Sequence, residues 1–497
     1  GQNPGGFPAG FPGLFQQEQQ LMEDEKPQIL NPMIINQSQT QFTQNPAMFL
    51  PLSFQQLQEH HQLPSPPPKR LHSEGGTFSD SRPDLFLQRQ QLQMLQHQQR
   101  SPGMVNSSNA MGNGNGNTNG NSHQLQLLQA TINPICQAAE LIESGNPVLA
   151  QGILARLNHQ LSLPIGKPSH RAAFYFKEAL QLLVHLINTN SLGTSPTSLS
   201  TCSLIFKIGA YKSFSEISPV LQFANFTCNQ ALLEAFEGFD RIHIVDFDLG
   251  YGGQWASLMQ ELALRSGGAP SLKITAFASP YAHDELELGF TQENLKLFAR
   301  EINMPFELEI LSLESLGSGS WPMMPPPRLQ DKEVVAVKLP MVSFSSYPAS
   351  LPLVLRFVKH LSPKIVVSLD SGCDRSDLPF AHHVNLAIQS YSSLLESLDA
   401  VNVNPDALQK IERFLVQPGI EKLVLGRQRC PDRIPSWRSL LLQSGFSPLT
   451  FSNMAESQAE CLVQRTPVRG FHVEKRQSSL ILFWQRKELM SASAWRC

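Results

Sequence analysis

Apolar residues recur along this chain at two periods. Leu125, Leu128, Ile132, Ile135, Ala139 and Ile142 step by three and four, which predicts one helical face. Pro134 falls inside it, so either that helix kinks or a second starts with Asn133 as its cap. Asn146-Pro147 predicts a helix carrying Ile153, Leu157 and Leu161, and Ser169 opens another with Ala173, Phe176, Leu180, Leu183 and Ile187 on one face. A Ser/Thr-rich loop at 190–201 follows, and helical spacing returns at 204–211 and 220–236. The heptads are too short and proline-broken for a long coiled coil, so a helical cap with an outer face open to dimerisation is expected.

Beyond 240 the period shortens. Ile242, Ile244, Val245 and Phe247 form a β-branched and aromatic run, long enough for one buried strand. Glycines at 250, 252 and 253 break it, and Trp255, Leu258, Met259, Leu262 and Ala263 resume helical spacing. Strand, glycine-rich turn and helix is how a doubly wound α/β domain opens, with the turn facing the ligand crevice. Further strands are predicted at 272–277, 306–310, 333–339 and 364–370. Helices are predicted from Thr291, over 351–361, and over 382–398 with Leu386, Tyr391, Leu394 and Leu398 as its apolar positions. Trp437 to Gly445 marks a helix and its stop, and 470–474 with 479–484 reads as an antiparallel pair before a last segment at 489–495. The expected fold class is α/β, Rossmann-like, with a mostly parallel methyltransferase-type sheet behind an N-terminal helical cap.

A nucleotide-type cofactor would place its charge near the helix N-terminus and the backbone amides of the turn. A methyltransferase-like turn wants an acid and then glycines at alternate positions. Asp246 supplies the acid, but Asp248 stands where the first glycine belongs, and a second carboxylate repels an acidic ligand. No spacing of the glycines gives Gly-x-Gly-x-x-Gly. The second strand ends in Ala278-Ser279-Pro280 instead of the acid that would take ribose hydroxyls. The turn reads as a former cofactor site, with no cofactor expected.

Ile242-His-Ile-Val-Asp246 resembles the "VHIID" core of the plant GRAS transcriptional regulators, with Val245 replacing the second isoleucine. Pro219, Asn229, His243, Asp246, Gln254 and Leu258 fall in the order and spacing of that family's signature, and the turn through Trp255 is most similar to its Hairy Meristem (scarecrow-like) branch. Pro379, Phe380, Tyr391, Glu412 and Arg413 match its "PFYRE" elements, while Trp437, Gly445, Trp484 and the triplet Ser493-Ala494-Trp495 match its "SAW" region. The resemblance covers 123–497, divided into a helical cap with lead-in helices over 123–235 and an α/β core over 236–497. It implies a nuclear, non-enzymatic regulator of plant development and shoot meristem maintenance. Its partners would be DNA-binding transcription factors, homeodomain proteins for this branch, and a homo- or hetero-dimer of GRAS chains; direct DNA contact stays open. An S-adenosylmethionine-dependent methyltransferase of the same fold is the alternative, resting on Asp246, Gly250 and Gly252.

Composition narrows these readings. Residues 1–122 are rich in Gln, Pro, Asn and Gly, too poor in apolar surface to offset chain entropy, and are expected to be a disordered arm. Its islands at 49–54 and 85–87 read equally as docking motifs or as spacer, and Lys69-Arg70 is too short for a localisation signal. The chain begins with glycine, so the natural N-terminus and any targeting signal there are expected to lie upstream. A net charge of −3 gives no global basic footprint. Arg427, Arg429, Arg433 and Arg438 gather positive charge, but no recognition helix, zinc finger or basic zipper is legible, so a solvated basic face is expected over a DNA contact. Seven cysteines without Cys-x-x-Cys or paired Cys/His spacing argue against zinc and suit a reducing compartment. No apolar run reaches the ~20 residues of a membrane span. Asp370, Asp374 and Asp377 read as a solvated, cap-rich turn over a metal site. The neighbours His382 and His383 point to different faces of a helix. His243 reads as an inner histidine holding the turn, since no nucleophile or metal partner stands close to it.

Overall fold

Five short strands build the centre of the molecule, four of them buried for most of their length and the third, at the edge, largely not. In the computed structural model they are β1 (Arg241–Asp246), β2 (Ser271–Ala278), β3 (Phe306–Ser312), β4 (Glu333–Pro340) and β5 (Ile365–Asp370). They pair in parallel in the order β3-β2-β1-β4-β5, with the reversal of strand order beside β1 that defines a doubly wound sheet. Beyond β5 the sheet turns antiparallel through β9 (Lys487–Arg496), β8 (Ser479–Trp484) and β7 (Phe471–Arg476), and the short β6 (Ser447–Leu449) also pairs with β9. The structure describes residues 118–191, 201–279, 284–318, 333–373, 375–401, 403–430 and 433–497. The expectations for the Gln-rich arm before 118, the loop at 192–200, Pro280, the proline-rich stretch at 321–327 and Asp374 lie outside them.

Period-two alternation splits the strand residues between two apolar layers. Ile242, Ile244, Leu272, Ile274, Ala336 and Val367 face one; Val245, Phe247, Phe277, Val337, Leu339 and Val366 face the other. The first layer packs under α1 (Thr118–Glu143), α2 (Pro147–Leu157), α3 (Pro168–Asn188), α5 (Pro219–Ala235), α6 (Gly253–Ala263) and α7 (Glu285–Glu301), followed by α9 (Phe380–Ala400), α11 (Gln417–Arg429) and α13 (Asn453–Gln464). The second packs under α8 (Leu351–Leu361) and α12 (Trp437–Gln443). The remaining helices are α4 (Thr201–Ile217) and α10 (Pro405–Ile411), the latter running on through a π turn over Glu412–Val416. Residues Gln126–Cys497 belong to one compact unit; of a second, Gln56–Leu125, only the first turns of α1 are described.

Ionic contacts bolt the first helices to the later half of the chain. Arg171 on α3 makes a two-pronged contact with Asp399 at 2.7 and 3.0 Å, and its Nε lies 3.2 Å from Glu412. Tyr175 donates to the other oxygen of Glu412 at 2.9 Å. Glu143, at the end of α1, accepts from Arg427 and from the backbone amide of Phe380, both at 2.9 Å.

Several expectations shift. Of the two readings at Pro134, the new helix capped by Asn133 is set aside, because α1 runs through the proline as one element. Helix α7 starts at Glu285, not Thr291, because Asp284 caps it by accepting from the amide of Leu286 at 2.9 Å. Leu386 is exposed, and the inner face of α9 is formed by Val384, Ala387, Ile388, Leu395 and Leu398. The arginine patch is not one solvated face, since Arg427 is buried against Glu143 and also donates to Cys430 O at 3.1 Å.

Replacing Arg171 by methionine strands Glu412 in the interior without its cation, at an expected cost of about 3 kcal/mol in urea unfolding. Changing Glu412 to glutamine in the same chain should return part of that loss; an additive double variant would show the pair uncoupled.

Candidate functional site

Parallel register places Asp246 beside Lys338 at the C-terminal ends of β1 and β4. Asp246 has no exposed surface. Burial pushes its carboxyl up to about 6, against the pull of Lys338 Nζ at 3.5 Å, the amide of Asp248 and the Trp255 indole. Trp255 Nε1 donates to Oδ2 at 2.7 Å and the Asp248 amide to Oδ1 at 2.9 Å. Lys338 is 8% exposed; it donates to Asp248 O at 2.6 Å and lies 5.2 Å from the centre of the Trp255 ring. A desolvated amine needs such company: a carboxylate, a carbonyl and an aromatic face.

The turn then folds back on its own donors. Asp248 Oδ1 accepts from the Gly250 amide at 3.0 Å, the Ser343 hydroxyl donates to Asp248 Oδ2, and the Gly252 amide donates to Leu249 O at 3.2 Å. Thr291, the residue first read as a helix start, donates from α7 to Gly250 O at 2.9 Å. Gly250 and Gly252 take φ of +54° and +77°, where side chains are strained. A Cβ on Gly252 would come within 3.0 Å of Leu295, so α7 closes directly over the turn. Above it, the rings of Tyr251 and Tyr211 (on α4) are 4.9 Å apart, and Lys207 of α4 pairs with Glu287 of α7. The amides of Asp248, Gly250 and Gly252, which an anion-cradling turn presents to its ligand, are all internally paired.

The other signature residues form separate groups. Asn229 of α5 and Gln254 of α6 exchange hydrogen bonds, Asn229 donating to Gln254 O at 3.0 Å and Gln254 Nε2 to Asn229 Oδ1 at 3.2 Å. Pro219 begins α5 behind the Ser218 cap, and Leu258 is in the core. His243 Nε2 lies 2.9 Å from Thr275 Oγ1; burial, with Lys273 nearby, lowers its pKa to about 4, so the ring is neutral. Pro379 caps α9, Phe380 is buried, and Tyr391 meets the Phe176 ring edge-on at 5.8 Å. Glu412 pairs with Arg171, whereas Arg413 is exposed over the Phe414 ring. The "SAW" triplet zips β9 onto β5, Ser493 opposite Ser368, Ala494 opposite Val367 and Trp495 opposite Val366. Trp495 donates to Ser493 Oγ at 2.9 Å and meets Trp437 edge-on, Gly445 takes φ of +81° after α12, and Trp484 is buried under Phe471.

Among the described residues no group of three His, Cys, Asp or Glu is arranged to hold a metal. Asp377 is engaged by Arg375 at 2.8 Å, and His382 is exposed while His383 is buried. No described helix is long and apolar enough to cross a membrane. Lys338 and Ser343 escaped the sequence reading. The usable signal was a lone lysine inside the apolar run 334–339, since a cation in a buried strand requires a counter-ion.

The GRAS domain family model matches residues 131–496. Scarecrow-like protein 6 of Arabidopsis thaliana is 63% identical over 365 residues, covering 73% of this chain and 62% of that protein. Scarecrow-like protein 22 of the same plant is 56% identical over 380 residues, covering 72% and 60%. The chain thus spans about three fifths of the length of these relatives. The crystal structure of SCL7 from Oryza sativa aligns at a TM-score of 0.54 and 29% identity, covering 73% of this chain and 99% of that one.

The turn predicts two stability signatures. Gly252→Ala should cost about 2 kcal/mol and more than Gly250→Ala, whose Cβ meets open space, and Leu295→Ala should relieve part of the Gly252 penalty in a double-variant cycle. Acid titration separates the buried groups. The raised pKa of Asp246 contributes stability that is complete below its unfolded value near 4 and lost as pH rises through about 6. The lowered pKa of His243 contributes stability that is complete above about 6.5 and lost as pH falls through about 4. The two oppose each other. Relative to the parent chain, Asp246→Asn should therefore gain stability more steeply from pH 4 to 6, and His243→Gln less steeply, in urea unfolding at fixed ionic strength. Identical slopes in all three chains would contradict the assignment.

Proposed function

Because the chain belongs to the GRAS domain family, we propose that it is a non-enzymatic regulator of transcription in plant development, acting through protein–protein contacts. In this reading it works in the nucleus, within the Hairy Meristem branch and in shoot meristem maintenance. Its partners are DNA-binding transcription factors, homeodomain proteins among them, and it pairs with itself or with another GRAS chain.

One observation carries the non-enzymatic half: the β1–α6 turn uses the carboxylates of Asp246 and Asp248 and the carbonyl of Leu249 to occupy the amides of Asp248, Gly250 and Gly252 that a cofactor would need. Asp246 is likewise engaged by Trp255 and Lys338. A methyltransferase reading keeps the order of the parallel strands and the acid at the end of β1, but fold alone does not specify chemistry. The direct DNA reading loses Arg427, which is spent on Glu143.

Calorimetric titration of the full chain with S-adenosylmethionine, and with its demethylated product, tests this directly. The expected result is no heat of binding and no shift in melting temperature. Micromolar binding of either compound would sink the reading and restore the enzyme.

A further inference from the structure

β3 ends the sheet on its side and, among the described strands, pairs only with β2. The Leu272 amide donates to Pro305 O at 2.9 Å, which sets the alternation of the ladder. Residues 307, 309 and 311 therefore turn their peptide groups toward β2, while Phe306, Leu308 and Ile310 turn theirs outward. Gln292 donates to Leu308 O at 3.3 Å; the outward amides of Phe306, Leu308 and Ile310 meet no partner among the described residues. Proteins blunt such an edge with proline, a bulge, very short length, a covering helix or charged side chains, and here the charges are Glu307 and Glu309. This one runs seven residues, and Pro305 stands only in front of it.

A cavity of about 390 Å³ lies beside the edge, between β3 and the last turns of α7. Met304, Phe306, Leu308 and Ala299 give it its apolar part, Lys296 and Arg300 stand at its rim, and Glu307 also lines it. The carboxylates of Glu307 and Glu309 both reach Lys273 of β2, at 3.4 Å each. Backbone donors, a hollow with cations at its rim and two carboxylates along the strand together favour one kind of occupant.

We propose that the β3 edge is a docking site for an extended peptide segment of a partner protein, added to the sheet as a further strand. The segment places a large apolar side chain in the cavity with an acidic residue at Arg300, and a basic residue beside Glu307 and Glu309. This surface is remote in sequence from the Asp246 turn, and its test does not depend on the regulatory reading.

The experiment is an array of synthetic seven-residue peptides with alternating valine and threonine. The central position varies through all side chains, and the flanks carry aspartate, serine or lysine. The array is probed with the purified full chain. Peptides with a large apolar centre and aspartate on the cavity face should bind best. In solution anisotropy their affinity should fall about tenfold in Arg300→Glu. Binding should be lost in Ile310→Pro, which removes one outward amide, with the melting temperature followed for both variants. Equal capture of lysine- and aspartate-flanked peptides, or no peptide bound more tightly than by Ile310→Pro, overturns the proposal. It is also overturned if peptides bind only after residues 319–332 are replaced by a glycine–serine linker, which makes that segment the occupant. A dimer in sedimentation that Ile310→Pro dissolves would make the occupant a second copy instead.

Discussion

A carboxylate with no exposed surface at the end of the central strand is the constraint around which this domain is arranged. Burying Asp246 is costly unless its charge is matched and its oxygens filled. The sequence meets that demand locally with Trp255 and the Asp248 amide, and across the sheet with Lys338. Once Lys338 is committed, it fixes the β1–β4 register and pins the Asp248 carbonyl. Asp248 in turn recruits Ser343 from the segment after β4. The turn thereby serves as a joint between β1, β4 and the helices α6 and α7.

The same device recurs where the early helices meet the late ones. Glu412 and Glu143 are held by cations from segments hundreds of residues away, Arg171 and Arg427. In each case removing one partner leaves a charge or donor without compensation, so these contacts constrain arrangement more than they add net stability. The "PFYRE" and "SAW" residues belong to this architecture: Phe380 and Glu412 sit at the helix junctions, and Ser493 to Trp495 close β9 onto β5.

Much of the fold was legible because its elements are strongly periodic. The runs at 242–247 and 333–339 have the short, β-branched form of strands covered on both faces, and α8 alternates its apolar residues over three turns. What was missed lacks that contrast. The start of α7 is polar, so its Asp284 cap was invisible to an apolar count, and α10, α11 and α13 mix charge and apolar residues too evenly to stand out. Half of the site was readable, because Asp246, Gly250 and Gly252 are neighbours in sequence. Lys338 and Ser343 lie some ninety residues on and reach the turn only through strand register. Arg427 misled for the same reason: its charge suggested solvent, and only the fold supplies Glu143.

The central claim is that the turn after β1 is closed by its own groups. Native-state hydrogen exchange of the Asp248, Gly250 and Gly252 amides, with and without excess S-adenosylhomocysteine, tests it most directly. Closure predicts protection comparable to the β1 amides and no change on adding the compound. Rapid exchange that slows when the compound is present would mean an open, ligand-competent turn, and would contradict the account.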